Sequence, residues 1–384
     1  MTTGLYLSAT SPNSGKSLIA LGLADSLIKR ADRVGFFRPV FDGATIADDP
    51  VARLIREHFN LSEEQVGGAV SMNDALALIA EGDTEEISSR AVSAYEKVAA
   101  NSDVVIVDGA YLPANALAVE FDLNVQIARD LGLPVVAIVG AQEATVEEAV
   151  TAVDVARTEL TASKADLLAV IVNRAEPELR EDIEKSVKRG EADLPVYVLP
   201  EISELTAPTV GEVAEALKLD TAGVKAEDLS RDIHGIKVAA MTVSNFLGQF
   251  VDGDFVIVPG DRADIVAATL ASALAPSFPA PSGVLLTGGL DDVSGQHTAV
   301  GELIKNAPFP VLSTEHDTFK SARAVSRVHG SLESGHQRKL AAALGGWDEH
   351  VNKDELLSRL SIERPASMTP LRFLHNLIET ARAN

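Results

Sequence analysis

An α/β architecture is predicted for this 384-residue chain: a doubly wound parallel sheet, then a smaller α/β domain, then a helical C-terminal connector. Three observations predict it. Short, nearly continuous apolar runs rich in β-branched residues alternate with Ala- and Glu-rich stretches through the first half of the chain, as parallel strands covered on both faces and their crossover helices require. The same alternation resumes after a polar break and stops near Gly335. Hydrophobic residues make up 46% of the chain, ample for a core in each part and inconsistent with disorder.

In order, the candidate buried strands are Gly4–Ser8, Val34–Pro39, Val104–Val107, Pro134–Val139, Leu167–Val172 and Val196–Leu199. Between them, segments such as Lys16–Arg30 and Val146–Leu160 carry apolar residues at a spacing near ~3.6 and read as helices. Strand, helix, strand in that rhythm predicts a doubly wound sheet. The texture changes after Leu199-Pro200-Glu201, where the acidic, helix-like Thr209–Leu217 leads into the polar run Asp220–Asp232. A boundary is expected there. The domains are then 1–218, 219–334 and 335–384. The middle one has strand candidates Lys237–Met241, Phe255–Pro259, Gly283–Thr287 and Pro310–Ser313, with helices such as Asp264–Leu274. The last reads as helices over Gln337–Leu344, Lys353–Leu360 and Pro370–Ala383.

Lys and Arg number 33 against 56 Asp and Glu, a net charge of −23. That excludes a nucleic-acid partner bound by bulk charge, because a phosphate backbone is held through basic residues. With no cysteine, disulfides, thiolate metal sites and cysteine nucleophiles are excluded. The longest apolar runs, such as Leu133–Ala141, fall short of the roughly 20 residues of a membrane span. The N-terminus Met1-Thr2-Thr3-Gly4 has no basic n-region. A soluble, cytoplasmic protein without a membrane partner is expected. The eight histidines form no metal-spaced cluster, and Glu181-Asp182-Ile183-Glu184, flanked by Arg180, Lys185 and Lys188, reads as a solvated helix face.

The strongest chemical signal is Ser8-Ala9-Thr10-Ser11-Pro12-Asn13-Ser14-Gly15-Lys16-Ser17, which leaves the first strand and opens the first helix. Consecutive N–H groups and the positive end of a helix converge on an anion in such a loop. Thr10, Asn13, Ser14 and Gly15 would form the cradle, Lys16 would reach the β/γ-phosphates, and Ser17 would ligate Mg²⁺. The pattern G-x-x-x-x-G-K-[ST] is broken at its first position by Thr10, and a loop that only caps a helix is the competing reading. Asp108, ending the strand Val104–Val107, could hold a metal-bound water beside Ser17; an Asp-Gly turn is equally consistent. Arg38 brings a guanidinium to the same sheet edge. Asn173, with Arg174, could read a purine base through its amide, or simply turn the chain. Gly260-Asp261-Arg262-Ala263-Asp264 and Thr287-Gly288-Gly289 read as effector-binding turns or as capped junctions.

Together these pieces resemble the dethiobiotin synthetase family of P-loop proteins, whose loop reads Gly-Thr-Asp-Thr-x-x-Gly-Lys-Thr, whose second strand ends Lys-Pro-Val and whose metal-binding strand ends Glu-Gly-Ala-Gly-Gly. Here Ala9–Ser17, Arg38-Pro39-Val40 and Asp108-Gly109-Ala110-Tyr111-Leu112 stand at those places. Ser11 replaces a metal-associated Asp, Arg38 a Lys, and Tyr111-Leu112 the Gly-Gly that admits substrate. The resemblance implies that the nucleotide half survives and the ligase substrate site does not.

A second resemblance covers essentially the whole chain. Leu199-Pro200-Glu201, Leu205-Thr206-Ala207-Pro208-Thr209-Val210-Gly211-Glu212-Val213, Val258-Pro259-Gly260-Asp261-Arg262-Ala263-Asp264, Leu286-Thr287-Gly288-Gly289-Leu290, His316-Asp317-Thr318 and Arg364-Pro365 through Phe373 resemble, in order and spacing, the N-terminal region of long-form bacterial phosphate acetyltransferase. In that family a P-loop domain and a DRTGG-type domain precede a catalytic domain that interconverts acetyl-CoA plus phosphate with acetyl phosphate plus CoA. The resemblance implies a regulatory and assembly region that ends near where the catalytic domain would begin. It would form a homo-oligomer, act on its own catalytic domain as partner, and bind a small-molecule effector or a nucleotide such as ATP with Mg²⁺, none held tightly. Site residues would be Thr10, Asn13, Ser14, Gly15, Lys16, Ser17, Arg38, Asp108 and Asn173, with Ser17 and Asp108 on the metal. The alternatives are an ATP-dependent carboxylate-activating enzyme of the dethiobiotin synthetase type, and a pure oligomerisation scaffold.

Overall fold

The computed structural model describes residues 3–11, 13–113, 116–188, 194–289, 299–332 and 336–360. The chain divides into two compact units: Met1–Ile202 together with Leu332–Asn384, and Ser203–Ser331.

The first unit runs β1 (Thr3–Ala9), α1 (Lys16–Ile28), β2 (Val34–Phe41), α2 (Pro50–Phe59), β3 (Val66–Ser71), α3 (Met72–Glu81), α4 (Thr84–Ala99), β4 (Val104–Asp108), α5 (Leu117–Asp130), β5 (Val135–Gly140), α6 (Val146–Ala162), β6 (Leu167–Ala175), α7 (Arg180–Lys188) and β7 (Val196–Pro200). Its seven strands lie in the order β3-β2-β4-β1-β5-β6-β7, all parallel. The sequence reading identifies six of them and passes over β3. Val66-Gly67-Gly68-Ala69-Val70-Ser71 hides its strand character behind two glycines, and as an edge strand it is only partly covered.

One face of the sheet, with Tyr6, Phe37, Val105, Val107 and Val170, packs on Ile87, Tyr95, Leu123, Ile127, Val153 and Ile183. Alternate strand residues such as Leu7, Phe36, Ile106 and Ile138 are equally buried and point the other way, toward the side where α1 lies against β1, β2 and β4. Cover on both faces explains the unbroken apolar runs.

The second unit carries α8 (Val210–Leu217), β8 (Gly235–Val238), α9 (Val243–Leu247), β9 (Asp254–Pro259), α10 (Ala263–Leu274), β10 (Gly283–Thr287), α11 (Ala299–Ile304), β11 (Val311–Ser313) and α12 (Thr318–Val325). The strands form a parallel sheet in the order β11-β10-β9-β8. One core joins Phe246, Phe250, Ile265 and Leu270 to Val256, Val258 and Val284. The other joins Val210, Val213, Ala214 and Val325 to Phe255, Ile257 and Leu285.

The structure divides the chain differently from the expected 1–218, 219–334 and 335–384 in two respects. Helix α8, read as the end of the first domain, belongs to the second unit, because Val210, Val213 and Ala214 bury their apolar stripe on β9 and β10. The described part of the expected connector returns to the first unit as α13 (Gln337–His350) and α14 (Lys353–Ser358). Trp347, the only tryptophan, is fully buried against α1. Its Nε1–H donates to Ser26 Oγ at 2.9 Å, and that hydroxyl donates to Gly22 O at 2.8 Å. A Cβ at position 22 would run into the indole ring, so only glycine admits this contact. Tyr197 on β7 donates to Glu355 at 3.0 Å, and Arg30 pairs with Asp354. The helix expected at Pro370–Ala383 and the Arg364–Phe373 motif lie outside the described residues.

Candidate functional site

The loop between β1 and α1 sits at the carboxyl edge of the large sheet. Thr10 donates its N–H to Ile138 O at 2.9 Å and its hydroxyl to the same carbonyl at 3.3 Å. It therefore prolongs the β1–β5 ladder at the place where the loop pattern has its first glycine. Asn13 (φ 56°) and Gly15 (φ 74°) are both left-handed, the backbone form from which anion-binding nests are built. Pro12 lies outside the described residues. Side chains of Asp49, Ser71, Asp83 and Thr145 cap α2, α3, α4 and α6. At α1, Gly15 supplies no side-chain cap and the first turn holds no acid; the Leu18 N–H turns back to Gly15 O at 3.1 Å, and the N–H groups of Lys16 and Ser17 with the positive dipole end are left for an anion.

Sheet register brings the remaining residues to this point. Leu7 pairs with Asp108 and Phe37 with Val107, which sets Arg38 beside Asp108. Lys16 Nζ lies 3.0 Å from Asp108 Oδ1 and donates to Gly109 O. Arg38 Nη1 lies 3.0 Å from Asp108 Oδ2, and its Nε 3.3 Å from Asp49 Oδ2. The result is a buried alternation Lys16–Asp108–Arg38–Asp49, in which Arg38, Asp108 and Asp49 are 4%, 1% and 0% exposed. Two cations and two anions balance, as burial demands. Asp49, which sequence reasoning passes over, also accepts the N–H groups of Ala52 and Asp42, each at 2.9 Å. Its Asp-Pro-start signal for α2 was the available clue. Burial pulls the Lys16 ammonium below its usual range; Asp108 opposes this and Arg38 adds to it. Each Asp108 oxygen carries one ion pair, to Lys16 and to Arg38, and a carboxylate oxygen has a second lone pair that a metal-bound water could use. An uncapped helix end, a lysine and an adjacent carboxylate fit the phosphates and Mg²⁺ of a nucleotide.

Beyond β4 the strap Gly109–Leu112 is fastened by α5. Asn124 Oδ1 accepts the Ala110 N–H and the Tyr6 hydroxyl, both at 2.7 Å, and its Nδ2 donates to Ala110 O at 3.0 Å. Glu120 Oε2 accepts the Leu112 N–H at 2.7 Å. Burial, then Asp108, raises the Tyr6 hydroxyl well above its usual range. Burial also raises Glu120, opposed by the Leu112 N–H and Lys16. Glu120 and Asn124 stand i,i+4 on one helix face; that pair within an apolar helix was the signal the sequence reading missed. Leu112 is fully buried while Tyr111 is exposed.

Asn173, expected to read a base, lies against the loop. Its Nδ2 donates to Ser14 O at 2.8 Å and Gly15 O at 3.5 Å. Only Oδ1 is left buried without a partner. Arg174 donates to Asn13 O at 2.6 Å and grips Glu201 at 2.8 and 3.1 Å. Both residues brace the loop from the end of β6.

In the second unit, Arg262 pairs with Asp264 at 2.8 and 2.9 Å and donates to Met241 O at 3.0 Å. The Gly260–Asp264 turn thus closes on itself as a strand-to-helix junction. Gly288 and Gly289 donate to His316 O and Thr314 O at 2.8 and 3.1 Å, joining the ends of β10 and β11; Leu290 lies outside the described residues. Among the described residues no group of three or more His, Asp or Glu is placed to hold a metal ion, and no helix is long and apolar enough to cross a membrane.

A family profile described as an AAA domain matches residues 3–213, and one described as a DRTGG domain matches residues 212–328. The phosphate acetyltransferase of Nitratidesulfovibrio vulgaris is 34% identical over 401 aligned positions, covering 100% of this chain and 55% of its own length. That of Synechocystis is 26% identical, with coverage of 100% and 55%. Among solved structures, a Cyanothece McdA–ATP complex aligns with 53% of this chain and 85% of its own, at 13% identity and a TM-score of 0.35. The chain spans about half the length of the curated relatives it matches.

Proposed function

This chain belongs to the AAA-domain family, and on that premise we propose that its first unit binds a nucleotide and that the whole serves as a regulatory and assembly region of a phosphate acetyltransferase. The single observation that carries the nucleotide half is the uncapped start of α1, with Lys16 3.0 Å from Asp108. Lys16 would hold the terminal phosphates, the loop N–H groups the remaining phosphate oxygens, and Ser17 with Asp108 the Mg²⁺. Mg²⁺, when bound, would supply positive charge shared between the phosphate oxygens and the Asp108 carboxylate. Arg38 then keeps that carboxylate aimed at the edge of the sheet while Asn173 and Arg174 hold the loop. The tight seating of Leu112 in place of a glycine supports a binding role over transfer to a second substrate. The regulatory half is supported by similarity to phosphate acetyltransferases that extend well beyond this region. The chemistry those relatives are named for, acetyl-CoA plus phosphate to acetyl phosphate plus CoA, would be performed outside these 384 residues. The region would act as a homo-oligomer on that catalytic partner, in the cytoplasm.

Calorimetry with Mg·ATP on the wild type and Lys16→Ala tests the first half: saturable heat in the wild type only is expected, and equal heats in both remove the loop from consideration. An assay of CoA-dependent acetyl phosphate formation by this chain tests the second. No turnover above background is expected, and measurable turnover would sink it.

A further inference from the structure

Arg33, Arg38, Arg174 and Arg180 each hold a carboxylate. Arg53 and Arg56 make no salt bridge among the described residues, although both are partly buried. They stand three residues apart on α2 and so share a face, and both line a cavity of about 230 Å³ together with Ile46, Ala52, Val66 and Glu63. Asp48, whose charge reaches Arg53, has its carboxylate engaged by the N–H and hydroxyl of Thr45, each at 2.9 Å.

We propose that this cavity is a binding site for a small monocarboxylate with a short apolar stem. In a chain of net charge −23 the general field repels anions, so local cations favour an anion site, and these two arginines, neither in a salt bridge among the described residues, supply them. A guanidinium fork matches a carboxylate in two parallel hydrogen bonds. Ile46, Ala52 and Val66 offer an apolar wall for the stem. Glu63, on the same cavity, opposes a second negative charge and so selects against dianionic phosphate. The volume lies below the roughly 300–1,000 Å³ of drug-sized sites and corresponds to about eight water molecules at ~30 Å³ each, which sets the ligand at metabolite size.

The cavity also touches the loop site through covalent neighbours. Its wall is the Thr45–Ala52 turn, and Asp49 in that turn holds Arg38, which holds Asp108. Occupancy therefore bears on the cluster around Lys16. This consequence rests on the effector reading above, whereas binding itself does not.

The test is calorimetry of the 384-residue chain with sodium butyrate, and with inorganic phosphate for comparison, in the absence of nucleotide. Its outcome is thus independent of whether the loop binds ATP. Saturable butyrate binding is expected in the wild type, at least ten-fold weaker in Arg53→Gln and Arg56→Gln and partly retained in Arg56→Lys. Phosphate is expected to bind only once Glu63→Gln removes the opposing charge. Butyrate binding equally well to both glutamine variants, no butyrate binding by the wild type, or phosphate binding the wild type as tightly as butyrate would overturn the proposal.

Discussion

Asp108 stands where a bound nucleotide would place its own negative charge: it already satisfies Lys16 and Arg38. Phosphates must displace or share that carboxylate. Asp108→Asn is expected to raise affinity for Mg-free nucleotide and to lower it when Mg²⁺ is present, read by calorimetry with and without the metal. The same change leaves two buried cations with one counter-charge, Asp49, and is expected to cost about 3–5 kcal/mol of stability in urea, the usual cost of breaking a buried pair. Lys16 adds a pH signature. Burial places its folded pKa below the ordinary value of 10.5, so between the lowered value and 10.5 the unfolded chain binds more protons than the folded one. Stability contributed by this residue therefore rises with pH through that window and is level below it. Urea midpoints across alkaline pH should show the rise in the wild type and lose it in Lys16→Met. The residues of the cluster that the sequence picks out are Lys16, Arg38 and Asp108, because a lysine after a glycine, or a charged residue ending an apolar strand, has a local signature. The work of Asp49, Glu120 and Asn124 was not legible there, since each acts on a backbone or side chain that the fold brings from elsewhere.

Two helices decide how that cluster is framed. On α5, Glu120 accepts a buried N–H, so Glu120→Ala should cost about 1–3 kcal/mol by orphaning Leu112. Glu120→Gln, which keeps an acceptor, should cost less, with urea denaturation as the measure. On α1, Gly22 and Ser26 receive Trp347 from α13. Trp347→Ala is expected to destabilise the first unit by about 3–5 kcal/mol. Gly22→Ala should force the ring out, giving a red-shifted emission from the chain's single tryptophan; unchanged emission would contradict the contact. The helical character of both segments is readable from their spacing, but their docking partner is not. Edge strand β3 shows the converse, an element whose pairing with β2 overrides two glycines.

At the scale of the whole molecule, the first unit is discontinuous: its chain leaves at Ile202 and resumes at Leu332. A fragment ending at residue 202 lacks the Trp347 cover on α1 and should unfold at lower urea than the full chain. The fragment 203–331, with its own core on each sheet face, should unfold cooperatively by itself; equal midpoints for 1–202 and the full chain would refute the discontinuous unit. The α/β class, the loop at Gly15-Lys16-Ser17 and the presence of two sheets were all contained in the order of residues, because buried parallel strands and helix starts write their requirements into contiguous stretches. That Asn173 braces the loop, that α8 joins the second unit and that α13 returns to the first became visible in the folded chain alone. Those outcomes depend on which apolar face or unpaired carbonyl is nearest in space, and local sequence carries no record of that distance.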